Sequence, residues 1–328
     1  MSFCLIEAAS RELGSPARHE PATREPLTIA AVQVAWQPDA DAHRATLAAG
    51  IRLAAARGAQ VVCLQELTLS PYFALGERHA ASAGAYLESI PDGPTTEFAR
   101  SLATETGACV HASLYERATD GGLGYNTAIC VGPDGRLVAR TRKLHIPAFP
   151  GYREDLCFRP GDTGFPVIDV AGAGFGFPTC WDQWFPELAR SYSLGGAEVL
   201  VYPTAIGSEP GFDHLDTRPM WQQMIVANGL ANATFMVAIN RIGSEDGTTF
   251  YGSSFISDPY GRIVAQAPRD APAVLVVELD LDQRRDWLEF GLFSTRRPEL
   301  YGAIVAPVAV AGGSDATIPT DHGVVSPS

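Results

Sequence analysis

The chain has 328 residues, 46% of them hydrophobic, and a formal net charge of −13. Such a length and apolar content allow a large core without a disulfide or metal staple, and the acidic balance argues against nucleic acid or an anionic membrane surface as the partner. The six cysteines (Cys4, Cys63, Cys109, Cys130, Cys157, Cys180) include no CxxC pair, and the seven histidines form no HExxH or HxH cluster, which reads as reduced, cytoplasmic cysteine usage with no metal site.

No apolar run reaches the roughly 18 residues of a membrane helix. Residues 1–26 have a short apolar patch but no signal-peptide order, and their Pro, Glu and Arg content predicts a loosely ordered extension. Leu27 to Val34 is apolar and β-rich. Asp41 to Arg57 has helical spacing, with Gly58 as a plausible cap. Val61 to Leu64 is a short buried strand that ends at Gln65-Glu66, so Glu66 falls at the C-terminal end of a strand, where α/β proteins place ligands. Thr95 to Thr106 reads as helix and Ala108 to Tyr115 as strand. Tyr125 to Val131 and Arg136 to Arg140 flank a Gly-Pro-Asp-Gly turn and read as a hairpin, with Lys143 just beyond. Residues 145–165 are irregular, and a loop that long in a compact domain is usually functional.

Val167 to Val170 and Gly174 to Thr179 are the next strands, although Pro178 cannot donate to a ladder. Glu187 to Leu194 reads as helix, opened by Pro186. Glu198 to Tyr202 is strand, Arg218 to Asn232 helix and Phe235 to Ile239 strand. Ser253 to Ser257 and Arg262 to Gln266 form a second hairpin. Val274 to Leu279 is strand and Leu281 to Glu289 a short helix. Residues 303–328 read as a tail. Strands and helices alternate with hairpins interleaved, which predicts mixed sheets. GxGxxG after a strand and GxxxxGK[ST] are both absent.

Cys180 stands at a strand-to-helix turn. A sulfur there clears the sheet, and nearby backbone N–H groups have no obligatory partner. A buried, inert cysteine is the alternative. Glu66, Lys143 and Cys180 make chemical sense together. A thiol needs a base, and a carboxylate could take its proton. A tetrahedral intermediate needs positive charge near its oxygen, which a Lys ammonium and the Trp181 N–H could supply. Separately, Glu66 could close a turn and Lys143 could be a solvated strand end.

The motifs decide between these alternatives. They are Leu64-Gln65-Glu66-Leu67 with Ser70-Pro71-Tyr72-Phe73, Arg142-Lys143-Leu144-His145-Ile146-Pro147, and Cys180-Trp181-Asp182-Gln183-Trp184-Phe185-Pro186-Glu187. Tyr202 to Pro210, Asn240-Arg241-Ile242-Gly243, Phe250 to Ile256 and Arg296 to Tyr301 follow in order. Together they resemble the nitrilase-type carbon–nitrogen hydrolases over residues 27–302, between the extension and the tail. The resemblance implies a four-layer α-β-β-α sandwich, assembly as a homodimer or larger homo-oligomer, and a cofactor-free enzyme acting on a small molecule. It implies Cys180 as nucleophile, Glu66 as general base, Lys143 as the intermediate-stabilising cation and Glu154 as a second site glutamate. The runs at Cys180 and at Pro203-Thr204-Ala205-Ile206-Gly207-Ser208-Glu209-Pro210 are most similar to the N-carbamoylputrescine amidases of the family. That likeness assigns Glu209 to a distal ammonium, and it puts Tyr72, Trp181 and Phe149 at the substrate. Two departures stand out. Ala148-Phe149 replaces acidic residues common after His-Ile-Pro, and Pro178-Thr179 replaces an aliphatic pair before the cysteine. An amidase for small carboxamides and a catalytically silent binding protein are the rival expectations.

Overall fold

The computed structural model describes residues 2–76, 80–149, 151–209, 211, 212 and 214–307. Ordered structure starts earlier than the composition of residues 1–26 suggests. Strand β1 (Cys4–Ala9) pairs in parallel with a strand from the far end of the chain. Its alternation explains why: Phe3 and Leu5 pack toward one core while Ile6 and Ala8 pack toward another. The following stretch is pinned by carboxylates, with Arg18 Nε donating to Asp286 at 2.7 Å and Thr23 N to Asp282 at 2.5 Å. Short apolar runs next to charged residues look like linkers until such partners are known.

Then come β2 (Leu27–Gln33), α1 (Ala40–Ala56), β3 (Val61–Leu64), β4 (Leu87–Glu88), α2 (Pro94–Thr106), β5 (Cys109–Glu116), β6 (Tyr125–Val131) and β7 (Leu137–Arg142). Asp39 caps α1 by accepting from the N–H groups of Asp41 and Ala42, the expected use of that residue type. Next are a short hairpin, β8 (Ala148–Phe149) and β9 (Tyr152–Arg153), and strands β10 (Ile168–Val170) and β11 (Ala173–Gly176). After these lie α3 (Pro186–Leu194), β12 (Val199–Pro203), α4 (Arg218–Asn232), β13 (Phe235–Ile239), β14 (Ile242–Glu245) and β15 (Thr248–Tyr251). β16 (Phe255–Ser257), β17 (Ile263–Gln266), β18 (Ala273–Leu279) and α5 (Asp282–Trp287) complete the unit that runs to Gly291. Residues from 292 onward form a separate unit, in which Pro298–Val305 is a 3-10 helix. The tail beyond 307 lies outside the described residues.

Among the described residues, one sheet has the order β1-β18-β2-β3-β5-β6-β7, with β4 against β5, and the other β10-β11-β12-β13-β16-β17. Both mix parallel and antiparallel pairs. Period-two alternation sorts each strand between layers. Ile29 and Ala31 of β2 meet Val199 and Val201 of β12 in the core between the sheets. Ala30 and Val32 face α1 and α2 through Leu47, Ile51 and Leu102. Leu200 and Tyr202 face α3 and α4 through Leu188, Tyr192, Trp221 and Ile225. The result is the α-β-β-α sandwich expected from the resemblance.

Two local differences matter for the site. The strand expected over Gly174 to Thr179 stops at Gly176, so Pro178 lies outside the ladder and breaks no hydrogen bond of the sheet. Between Cys180 and α3 the chain inserts a 3-10 helix, Cys180–Trp184. Cys180 therefore opens a short 3-10 helix, and the longer helix starts only at Pro186.

Candidate active site

Glu66 follows β3, and Lys143 follows β7, two strands of one sheet. Cys180 follows β11 of the other sheet. The site thus lies where ends of the two sheets face each other. All three side chains are buried, as is Glu154 on a 3-10 turn after β9. Glu154, in the irregular stretch between residues 145 and 165, has no exposure at all.

Lys143 Nζ donates to both carboxylate oxygens of Glu154, each at 2.7 Å, and to Glu66 Oε1 at 3.2 Å. Asn126 Nδ2 donates to the same Glu66 oxygen at 2.7 Å. Glu66 Oε2 has no hydrogen-bond partner among the described residues and so retains the capacity to accept a proton. Burial opposes the charge on Lys143, but the Glu154 and Glu66 carboxylates outweigh it and raise its pKa. The lysine is a fixed cation. Burial is also the main effect on Glu154, which is pushed up to about 7 even though Lys143 pulls the other way. Cys180 is held well above an ordinary thiol, first by burial and then by the Glu66 carboxylate, with Lys143 and the Ala205 N–H opposing. Its resting form is the neutral thiol, which becomes a nucleophile only with a base at hand.

The backbone at Cys180 is left-handed, with φ of 42°. Such a conformation is costly for a side chain bearing a Cβ and persists where surrounding bonds impose it. Asp182 supplies several. Its carboxylate accepts from Thr179 N at 3.1 Å, His145 N at 2.9 Å and His145 Nδ1 at 2.7 Å, with Leu144 N at 3.4 Å. One carboxylate thus ties the residue before Cys180 to the residues after Lys143, across the two sheets.

A cavity of about 600 Å³ opens onto Cys180 and Glu154. Phe149 and Trp181 form one wall, their rings 5.1 Å apart, and Trp184 continues it at 6.1 Å from Trp181. Glu209 lies at the cavity with Thr217. Thr217 Oγ1 donates to it at 2.8 Å, and burial raises the carboxyl pKa. No ion pair with a described cation neutralises it. The loop bearing Glu209 passes very close to β15, with Ser208 N donating to Thr249 O at 2.8 Å. Only a glycine fits at Gly207, where a Cβ would overlap Thr249.

Of the residues expected at the substrate, Phe149, Trp181 and Glu209 line this cavity, whereas Tyr72 does not. Tyr72 is fully buried behind Glu154, to which its hydroxyl donates at 2.6 Å. Sequence reasoning assigned no role to Asn126, Tyr152, Thr217 or Arg241. Asn126 did carry a signal: with Thr127 it is polar in a strand that continues as Ala-Ile-Cys-Val. Tyr152 and Thr217 reach the cavity only through the tertiary path of their loops.

Residues 28–289 match the carbon–nitrogen hydrolase family. The chain belongs to that family. Among its relatives, the N-carbamoylputrescine amidase of Solanum lycopersicum is 40% identical over 291 residues, spanning 85% of this chain and 95% of that one. The citrullinase of Francisella tularensis is 37% identical over 286 residues, spanning 85% and 98%. The crystal structure of a carbon–nitrogen hydrolase from Helicobacter pylori superposes with a TM-score of 0.79 at 29% identity, covering 86% of this chain and 99% of the other. This carbon–nitrogen hydrolase is therefore an enzyme of non-peptide C–N bonds. Among its described residues no helix is long and apolar enough to cross a membrane.

Proposed function

We propose that the hydrolase cleaves N-carbamoyl amines, R–NH–CO–NH₂, with one water, to the amine, ammonia and carbon dioxide. The observation that carries this reading is the buried cation of Lys143 between the carboxylates of Glu66, which has a free oxygen, and Glu154, which lines the cavity together with Cys180. In this reading Glu66 accepts the thiol proton as the sulfur attacks the ureido carbon. Lys143 stabilises the negative oxygen that forms, where a low-dielectric site makes a fixed charge most effective. Collapse expels ammonia, which takes the proton from Glu66 and leaves R–NH–CO–S–Cys180. Water, deprotonated by Glu66, attacks that thioester and frees the thiol. The N-carboxyamine released loses carbon dioxide to give the amine. Glu154 orients Lys143 and Tyr72 supports Glu154.

The aromatic wall and Glu209 support a substrate with an alkyl spacer and a terminal ammonium. The putrescine-type substrate named for the Solanum relative fits that description. Exposed apolar residues on α3 and α4, Leu194, Met220 and Leu230, support pairing of two copies through that face. The free thiols fit a cytoplasmic setting.

The test is ammonia release from N-carbamoylputrescine, with Cys180→Ala as control and intact mass of the quenched enzyme. Turnover, a carbamoyl adduct on Cys180 and loss of both in the variant are expected. Equal ammonia release by the variant would overturn the assignment of the nucleophile.

A further inference from the structure

Arg241 is among the largest fully buried side chains of the protein and lies outside the cavity lining. Burying a guanidinium is expensive, and well-packed apolar groups often serve stability better. Its hydrogen bonds point elsewhere. Arg241 follows β13, in the sheet that bears Cys180, and reaches across to the turn after β3, in the sheet that bears Glu66. Nη2 donates to the carbonyls of Glu66 at 2.7 Å, Leu67 at 3.2 Å and Ser70 at 3.3 Å. Nη1 donates to Glu245 Oε1 at 2.6 Å, and Glu245 Oε2 accepts from Tyr72 N at 2.7 Å.

The turn so held is conformationally costly, because Leu67 adopts φ of 48°. Its far side is tied to the first sheet, where Leu67 N donates to Ser113 Oγ at 3.1 Å. The preceding residue, Asn240, grips the opposite loop. Its Oδ1 accepts from Ile206 N at 3.0 Å and its Nδ2 donates to Ile206 O at 2.9 Å, next to the Ala205 N–H that faces Cys180.

We infer that Arg241, paired with Glu245, is a positioning residue that sets the placement of Glu66 and Tyr72 against Cys180 across the two sheets. It touches neither substrate nor sulfur. It acts by holding the backbone that carries the base at one end and the Tyr72 support of Glu154 at the other. A planar fork with several donors is required, since a single ammonium cannot meet three carbonyls and a carboxylate in this arrangement. The inference rests on the proposed role of Glu66 as base.

The test uses Arg241→Lys and Glu245→Gln in the full chain, with two readouts. The first is steady-state hydrolysis of N-carbamoylputrescine. The second, independent of substrate, is the rate at which iodoacetamide alkylates Cys180, followed by peptide mass, since a neutral thiol depends on its base. In Arg241→Lys, kcat should fall about 100-fold, the scale of a misplacement near 1 Å, with KM changed less than about threefold. Alkylation at pH 7 should slow at least about tenfold, with a smaller loss of the same pattern in Glu245→Gln. Both rates within about twofold of wild type in a folded Arg241→Lys protein would overturn the inference. So would a rise in KM that accounts for the whole loss. Should Arg241→Lys not fold, unchanged alkylation in Glu245→Gln overturns it equally. Slowed alkylation in an enzyme that releases no ammonia from ureido amines sinks the substrate reading and leaves the clamp. Normal alkylation with normal turnover does the reverse.

Discussion

Replacing Glu209 by Gln removes the charge at the cavity while nearly keeping its shape. Glu209 has Thr217 as its hydrogen-bond partner and pairs with no described cation. An ammonium placed there gains a charge-assisted hydrogen bond, a contribution of about 1.5–3 kcal/mol. The variant should therefore lose roughly 10- to 150-fold in kcat/KM for N-carbamoylputrescine. A neutral N-carbamoyl alkylamine of matched length should change less than about threefold. In the wild type, the terminal methyl of that neutral substrate recovers about 0.8 kcal/mol by burial against the aromatic wall. This leaves a net preference of about 0.7–2.2 kcal/mol for the diamine, or roughly 3- to 40-fold. The assay is ammonia release at pH 8, with both substrates over a full concentration range. A wild-type preference above about 1,000-fold, or about 4 kcal/mol, would mean that Ala148 and Phe149 have not weakened the anionic character of the pocket. An unchanged preference in Glu209→Gln would mean that Glu209 does not read the tail, while the hydrolase class stands.

Glu154 sits near 7 in the folded protein against an ordinary 4.5. The native state therefore holds this proton more tightly than the unfolded chain does. Its stability contribution is fully present below pH 4.5, declines as pH rises toward 7 and is flat above. The melting temperature of Glu154→Gln minus that of the wild type should therefore become more positive from pH 5 to pH 8, and a difference independent of pH would refute the assignment. Asp182→Ala leaves the buried N–H of Thr179 and the half-buried donors of His145 without their acceptor. At about 1–3 kcal/mol for the Thr179 N–H and about 0.5–1.5 kcal/mol for each His145 donor, the melting temperature should drop by roughly 5 °C or more, and a drop below about 2 °C would refute the strut.

Local pattern was sufficient for the elements and for mixed sheets, whereas the four layers were implied by the family resemblance. Leu27–Gln33 and Val199–Pro203 are apolar on both sides of the strand, so only the fold decides which side meets the other sheet and which a helix. Helical spacing from Leu47 to Ala54, with Gly58 after it, places α1, because propensity and caps act within a few residues. Glu66, Lys143 and Cys180 could be read as strand-end residues whose types suit one reaction, and the motif order named the family.

What the sequence could not supply was partnership over long separations. Glu154 reads locally as a loop carboxylate, and only folding removes it from water and seats it on Lys143. Tyr72 looks like a substrate contact in its motif, yet the path of residues 151–156 places Glu154 in front of it. Residues 4–9 look like a loose leader until β18, at the other end of the chain, offers an open edge. Arg241 is one basic residue among many until the second sheet carries it to the carbonyls of Glu66, Leu67 and Ser70. In each case the deciding energy is desolvation, and whether a polar group is buried with partners or left in water depends on where distant segments come to lie.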